Sequence, residues 1–432
     1  MNLEPSQSGL DNRSNVINQA INSCDSRTST APNLQLGSSA KLIQEDPIFE
    51  LLQQFRQDPR NDKIDLGIGV YRDHLNQSPV FSAVKQAEQW RVDTEEDKAY
   101  IGPLGDIAFC QAIAGLALGD DLAAKLADRL AYAQTPGGVG ALRLAFELLA
   151  ENNPDCTLWL SDTTWQVHLP IASAAGLPLQ RYSYYDPAEG PLGFDVLLES
   201  LNAAKPGDAV LLQASCHNPT GLDLSEAQWR KLALFCAQKG LLPIIDMAYH
   251  GLGDSLALDR LGLRVMAEKT PELLLCYTCS KNFGLYRDRT GMVMAVTANT
   301  ARRAVVEKQW MQLATRHYFT PPAHGASLVR QILNDVELRS LWEAELETIS
   351  ARLRDVRQQI FDTLSVDVPD RDWRFLTDGR GMFALFPLSA DEISRLRQEY
   401  GIYIVTNGRV NLSGFNTLNF SRAMRAIAKV LK

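Results

Sequence analysis

The 432-residue sequence contains no run of about 18 apolar residues, so nothing in it reads as a helix built to span a bilayer. Its six histidines include no H-E-x-x-H spacing, which removes the usual helical zinc site. There is no Walker A loop. Nor is there a true G-x-G-x-x-G followed by an acidic residue about 20 positions on, which speaks against a nicotinamide dehydrogenase. Basic residues are not in excess: 43 Lys and Arg stand against 51 Asp and Glu, a net charge of −8. Non-specific binding to nucleic acid is therefore not expected. Cysteine is sparse and odd in number, at seven, and no secretory apolar core precedes it. A disulfide framework is not expected, and a reducing, cytoplasmic setting is. Cys276-x-x-Cys279 lies within an apolar run, and no second pair exists to complete a zinc site.

What is present is an ordinary globular composition, 45% hydrophobic and 22% charged, on a chain too long for one core. Residues 1–40 are rich in Ser, Asn, Gln and Thr with little periodicity, and read as a disordered tail. Further on, short apolar runs alternate with helical patterns. The runs are Leu130–Gln134, Thr157–Ser161, Ala209–Ala214, Leu242–Asp246, Leu273–Tyr277 and Met292–Val296. The helical patterns include Leu142–Leu149, Ser225–Gln238 and Leu258–Glu268. This alternation predicts βαβ units and a mostly parallel sheet. A long amphipathic stretch, Ser327–Leu364, then leads into a small mixed α+β segment from Phe375 to the end.

Sheets of this kind bind ligands beyond the carboxyl ends of their strands. The polar residues there become the candidate site. Lys281 follows the run Leu273–Cys276, where a buried-strand lysine can be tuned to form a Schiff base with a carbonyl. Read alone, it is as readily a surface lysine. Asp246 ends the run Leu241–Ile245, and a carboxylate entering a buried site needs a cationic or protonated partner. Gly137 and Gly138 end a strand and open a helix, an arrangement that favours a phosphate. Tyr249 falls within reach of the same ligand as Asp246. Arg289 is a candidate phosphate ligand, and Arg409 has the fork geometry for a carboxylate.

Seven segments stand in one order along residues 45–432. They are Asp46-Pro47-Ile48, Leu66-Gly67-Ile68-Gly69-Val70-Tyr71, Thr135-Pro136-Gly137-Gly138, Cys216-His217-Asn218-Pro219-Thr220-Gly221, Ser280-Lys281-Asn282-Phe283-Gly284-Leu285-Tyr286, Pro321-Pro322-Ala323-His324-Gly325 and Gly408-Arg409-Val410-Asn411. In these the chain resembles aspartate aminotransferase and its aromatic-amino-acid relatives, which use pyridoxal 5′-phosphate. The resemblance implies an α/β, PLP-dependent transferase fold. Its large domain, 80–348, would hold a mostly parallel seven-stranded sheet between helices. Residues 41–79 with 349–432 would form a smaller α+β domain. It further implies that Lys281 bonds the cofactor and shuttles the proton, and that Asp246, backed by His168, pairs with the pyridinium. Asn218 and Tyr249 would bond the cofactor O3′, and Trp165 would stack on the ring. Gly137, Gly138, Thr278 and Arg289 match phosphate-binding positions. Tyr100 matches a phosphate contact donated across a homodimer with shared active sites. Gly69 and Arg409 match the substrate α-carboxylate site, Trp165 and Asn218 also face the substrate, and Phe383 matches an aromatic residue on the small-domain side.

Two departures bear on the substrate. Val139 stands where the family carries Thr or Ser. Counting back from Pro321, the arginine that grips an acidic side chain falls on Thr315, with Arg316 one residue off. The expected reaction is transfer of the amino group of an L-amino acid to a 2-oxo acid. Phe49 and Phe319 suit a neutral or aromatic donor. Alternatives are an aspartate donor, if Arg316 takes over the role, a basic donor drawn by Glu50 and Asp73, or a PLP lyase or decarboxylase on the same fold.

Overall fold

The computed structural model describes residues 47–186, 190–191 and 193–432. The tail expected over 1–40 lies outside the described residues, as do Asp46 and the side chain of Phe49.

Seven strands build the main sheet: β1 (Leu130–Pro136), β2 (Leu158–Ser161), β3 (Leu179–Tyr182), β4 (Ala209–Gln213), β5 (Leu242–Met247), β6 (Leu273–Thr278) and β7 (Thr290–Val296). Their order is β1-β7-β6-β5-β4-β2-β3. Six of them match the apolar runs of the sequence to within two residues. The exception is β3, whose sequence Leu-Gln-Arg-Tyr carries two exposed polar residues and pairs only with β2 at the sheet edge. An edge strand needs no continuous apolar run, so nothing marked it.

The other strands are buried on both faces. Along β6, Leu273, Leu275 and Tyr277 enter one core and Leu274 and Cys276 the other. This two-sided burial is why the runs read as near-continuous rather than alternating. Neighbouring strands are parallel except at β7, which is antiparallel to both β1 and β6. The carboxyl ends of β1, β2, β3, β4, β5 and β6 therefore share one edge, and β7 begins at it. Arg289, the residue before β7, arrives beside Lys281, which follows β6.

Helix α1 (Gly137–Asn152) leaves this edge directly after β1. The amphipathic stretch expected over Ser327–Leu364 is two helices, α3 (Ala323–Asn334) and α4 (Val336–Asp367), preceded by α2 (Thr300–His317). Asp335 makes the break, because its carboxylate accepts from the N–H groups of Glu337 and Leu338 and starts a new helix. The pattern expected over Leu258–Glu268 likewise divides, at Arg260. Helix α4 serves two cores. Trp342, Leu346 and Leu353 pack with the sheet, whereas Val356, Ile360 and Leu364 join a separate core with Ile64, Leu66, Trp373, Phe386 and Ile427. Two short ladders edge that second core. Ile64–Asp65 runs parallel to Ile402–Tyr403, and Phe383–Leu385 runs antiparallel to Arg409–Asn411.

Gly291 on β7 marks how tightly the sheet edge is packed. A Cβ there would lie 2.6 Å from Tyr277 O and 2.8 Å from the carbonyl carbon of Gly137. Both are backbone atoms and cannot rotate away. Gly291→Ala should therefore destabilise the protein by about 1–3 kcal/mol, read as a lower thermal midpoint. An unchanged midpoint would mean that β7 shifts freely.

Candidate active site

The site assembles at the strand ends. The apolar run of β5 carries Asp246 to the edge, where it is 7% exposed. A carboxylate accepts, so His168 Nε2, 3.0 Å from Asp246 Oδ2, donates to it. Thr164 Oγ1 stands 2.8 Å from the other ring nitrogen and completes the support. Trp165 sets its ring edge-on to His168 at 5.3 Å between centroids.

Lys281 projects from the turn after β6, its Nζ 5.3 Å from the centre of the Tyr249 ring. Burial pushes the amine pKa down; Asp246 opposes this, and Arg289 and Arg409 reinforce it, with a result of about 8. An amine at that value is an available nucleophile near neutral pH. Burial pushes the Tyr249 hydroxyl well up, so it remains a hydrogen-bonding phenol.

Asn218 arrives on an irregular loop. Ser215 and Cys216 have positive φ values of 62° and 56°, and the Asn218–Pro219 peptide is cis. Asp223 holds this bend by accepting from the N–H groups of Cys216 and His217 at 2.6 and 2.9 Å. The Gln213 side chain grips Asn218 from both sides, accepting from its N–H at 2.9 Å and donating to its carbonyl at 3.0 Å. The Asn218 amide lies 3.4 Å from the Tyr249 hydroxyl and 3.4 Å from Arg409 Nη1. Arg409 Nη2 donates to Gly67 O at 2.8 Å, and the guanidinium stacks 4.4 Å over Phe383. The second core thus contributes its own cation to the sheet edge.

A third corner suits a doubly charged anion. Gly137 opens α1 with φ +72°, and Arg289 Nη2 sits 2.6 Å from where its Cβ would be. Only glycine leaves room for that guanidinium beside the helix N-terminus. Thr278 and Ser280 add hydroxyls 3.0 Å apart.

One cavity of about 250 Å³ connects these groups. It is lined by eleven of the residues named from the sequence: Gly69, Gly138, Trp165, Asn218, Asp246, Tyr249, Thr278, Lys281, Arg289, Phe383 and Arg409. Gly137 and His168 stand directly behind it. Tyr100, Thr315 and Arg316 are not brought to this cavity. Tyr100 is 81% exposed and lies edge-on to Phe319 at 5.5 Å. Thr315 bonds back to Met311 O within α2, and Arg316 pairs with Glu151 on α1. Glu50 accepts from Gln54, and Asp73 from the N–H groups of Leu75 and Gln77. Leu142 and Gln213 line the cavity without having been singled out, and Ile48 and Ser280 line it from the ordered segments without having been given a role. Gln213 could have been found by the rule that found Asp246, a polar residue at a strand's carboxyl end. Leu142, an apolar residue in a helix, carried no signal, and Ile48 had only its place in the segment Asp46-Pro47-Ile48.

The donor set matches what pyridoxal phosphate requires: an amine for its aldehyde, a carboxylate for its ring nitrogen, a phenol and an amide for its oxygen, and a cationic helix N-terminus for its phosphate. Residues 61–427 match the family model "Aminotransferase class I and II". The chain is 44% identical over 376 residues to the tyrosine aminotransferase of Rhizobium meliloti, covering 86% of this chain and 94% of that one. It is 42% identical over 389 residues to the aspartate aminotransferase of Salmonella typhi, covering 89% and 98%. Among solved structures, the aromatic-amino-acid aminotransferase of Burkholderia pseudomallei, covalently bound to pyridoxal phosphate, superposes with a TM-score of 0.89 at 35% identity, covering 92% of this chain and all of that one. The chain belongs to the class I and II aminotransferase family and is a pyridoxal-phosphate-dependent aminotransferase.

Proposed function

We propose that this aminotransferase prefers a neutral or aromatic L-amino acid to aspartate, and that Lys281 is the group that moves the proton. The observation that carries the substrate reading is the charge distribution of the cavity. Its cations are Lys281, Arg289 and Arg409, and the remaining wall includes Ile48, Val139, Leu142, Trp165 and Phe383. Among the described residues no further cation lines it to meet a second carboxylate. Identity alone does not separate the donors, since tyrosine and aspartate enzymes match at 44% and 42%. Thr315 carries no charge, and the Arg316 guanidinium is already paired with Glu151. Glu50 and Asp73 bond locally and do not line the cavity, and the acid that does, Asp246, serves the ring nitrogen in this reading, so a basic side chain gains no further acid there.

In this reading Arg409 forks onto the substrate α-carboxylate beside Gly69. Arg289, Thr278, Ser280 and the first turn of α1 would hold the cofactor phosphate. Asp246, oriented by His168, would hold a proton on the ring nitrogen, and Asn218 and Tyr249 would bond its oxygen. When bound, the cofactor supplies an aldehyde carbon that takes up the amine and a protonated ring that draws electron density from the substrate Cα. Lys281 Nζ would be the base that holds and moves the substrate Cα proton. The overall reaction passes the amino group from the amino acid, which leaves as a 2-oxo acid, to a second oxo acid. The exposure of Tyr100 supports a homodimer in which each copy's Tyr100 completes the other's phosphate site. The separate core around Trp373 and Phe386 supports 41–79 with 349–432 acting as a small domain against 80–348.

Lys281→Ala should bind the cofactor but lose roughly 10²–10⁴-fold or more in kcat; turnover at the parent rate would overturn the mechanism. In cofactor-free protein, labelling of Lys281 by an amine-reactive probe should be half-maximal near pH 8. Asp246 raises this pKa, so Asp246→Asn should move the midpoint lower, and a higher one would contradict the assignment. For substrates, kcat/KM with 2-oxoglutarate as acceptor should favour tyrosine over aspartate by roughly 30-fold or more, corresponding to about 2 kcal/mol for an unmatched carboxylate. Equal values would sink the preference.

A further inference from the structure

Behind the cavity lies a set of polar side chains that none of these roles uses. Tyr277, His250 and Asn282 are all fully buried. His250 Nε2 is 2.8 Å from Leu256 O, and a carbonyl only accepts, so Nε2 carries the proton. Burial pushes the imidazole pKa down to about 4, which leaves Nδ1 bare at neutral pH. The Tyr277 hydroxyl, 3.0 Å from Nδ1, must then donate to it. Its lone pair is free to accept from Asn282 Nδ2, at 2.8 Å. The bonds therefore run one way, from Asn282 to Tyr277 to His250 to the Leu256 carbonyl.

The ends of this chain are what matter. Asn282 follows Lys281 directly, and His250 follows Tyr249. Each end is one peptide bond from a residue that faces the other across the cavity, with Lys281 Nζ 5.3 Å from the Tyr249 ring. The lysine side is clamped again from α4. Trp342 Nε1 donates to Asn282 O at 2.7 Å, and its indole stacks on Phe283 at 4.4 Å and 3°. Asn282 Oδ1 is buried without a hydrogen-bond partner, so the amide's one side-chain bond is the one to Tyr277.

We propose that Asn282–Tyr277–His250 is a positioning relay that holds the Lys281 amine at its working distance from Tyr249. None of the three lines the cavity, so the relay acts through its neighbours. The proposal rests on the reading of Lys281 as the proton carrier.

Three variants of the holoenzyme test it. Tyr277→Phe removes one hydroxyl, and His250→Leu removes the acceptor. His250→Gln keeps an acceptor and a donor at imidazole-like spacing. Tyr277→Phe and His250→Leu should each lower kcat ~10-fold or more with KM within ~2-fold, as expected for a misplaced group, and His250→Gln should stay within ~3-fold of the parent. In the cofactor-free proteins the pH midpoint of Lys281 labelling should rise from about 8 toward that of a solvated lysine in the first two variants and hold in the third. The relay is overturned if Tyr277→Phe and His250→Leu change only the melting temperature, leaving kcat per folded molecule and the midpoint where they were. It is equally overturned if His250→Gln is as damaged as His250→Leu. Should Tyr277→Phe fail to fold, the two His250 variants decide. Labelling needs no turnover, so a failed relay leaves the Lys281 assignment standing, whereas an active Lys281→Ala removes that assignment whatever the relay does.

Discussion

The shared edge of the sheet is the constraint on which the site depends. Six strands end there, and β7, running the other way, begins there. Because of that single reversal, a short excursion from Lys281 returns as Arg289 at the neighbouring strand. A parallel strand would have needed a crossover of a dozen residues or more and would have placed its first residue at the opposite edge. The glycines nearby follow from the same crowding. Gly291 lies against the backbone of Tyr277 and Gly137, and Gly137 against the Arg289 guanidinium.

Charge at this edge is unevenly matched, and chemistry follows from the imbalance. Lys281, Arg289 and Arg409 face the carboxylate of Asp246 across a cavity of about 250 Å³. With the amine also withdrawn from water, its neutral form becomes accessible near pH 8 instead of in the ordinary lysine range. The excess cations suit a phosphate at one end and a carboxylate at the other, each arginine placed by a different element. Arg289 comes from the turn before β7, and Arg409 from the ladder with Phe383–Leu385 that edges the second core. The site therefore requires both cores, and α4, shared by the two, is the element that packs into each.

The sequence made the buried strands legible, because a strand covered on both faces must be apolar throughout. It left β3 unmarked, because an edge strand with Gln180 and Arg181 exposed need not be. It showed a long amphipathic stretch over Ser327–Leu364 without a boundary, since periodicity does not register a restart when the apolar stripe continues; the Asp335 cap divides it. Among site residues, those at strand ends were accessible to the rule that ligands bind there, and the ordered motifs supplied the rest. Ile48 and Leu142 line the cavity only because helices from distant parts of the chain turn those faces toward it.

Residue types and their order determined the cofactor chemistry by themselves. Singly, a lysine after one buried strand, an aspartate ending another and an arginine beyond each have ordinary alternatives; together, within seven ordered segments that resemble the aminotransferase family, they implied the cofactor. Where Thr315, Arg316 and Tyr100 stand relative to that chemistry was a matter for the tertiary structure. One residue of shift along α2 turns a side chain by about 100°, which leaves Arg316 on Glu151 and away from this chain's cavity. The partners behind Lys281 were equally invisible in the sequence. Asn282, Tyr277 and His250 meet only because β5 and β6 lie side by side, and hydrogen bonds between side chains distant in sequence exist only once the chain is folded.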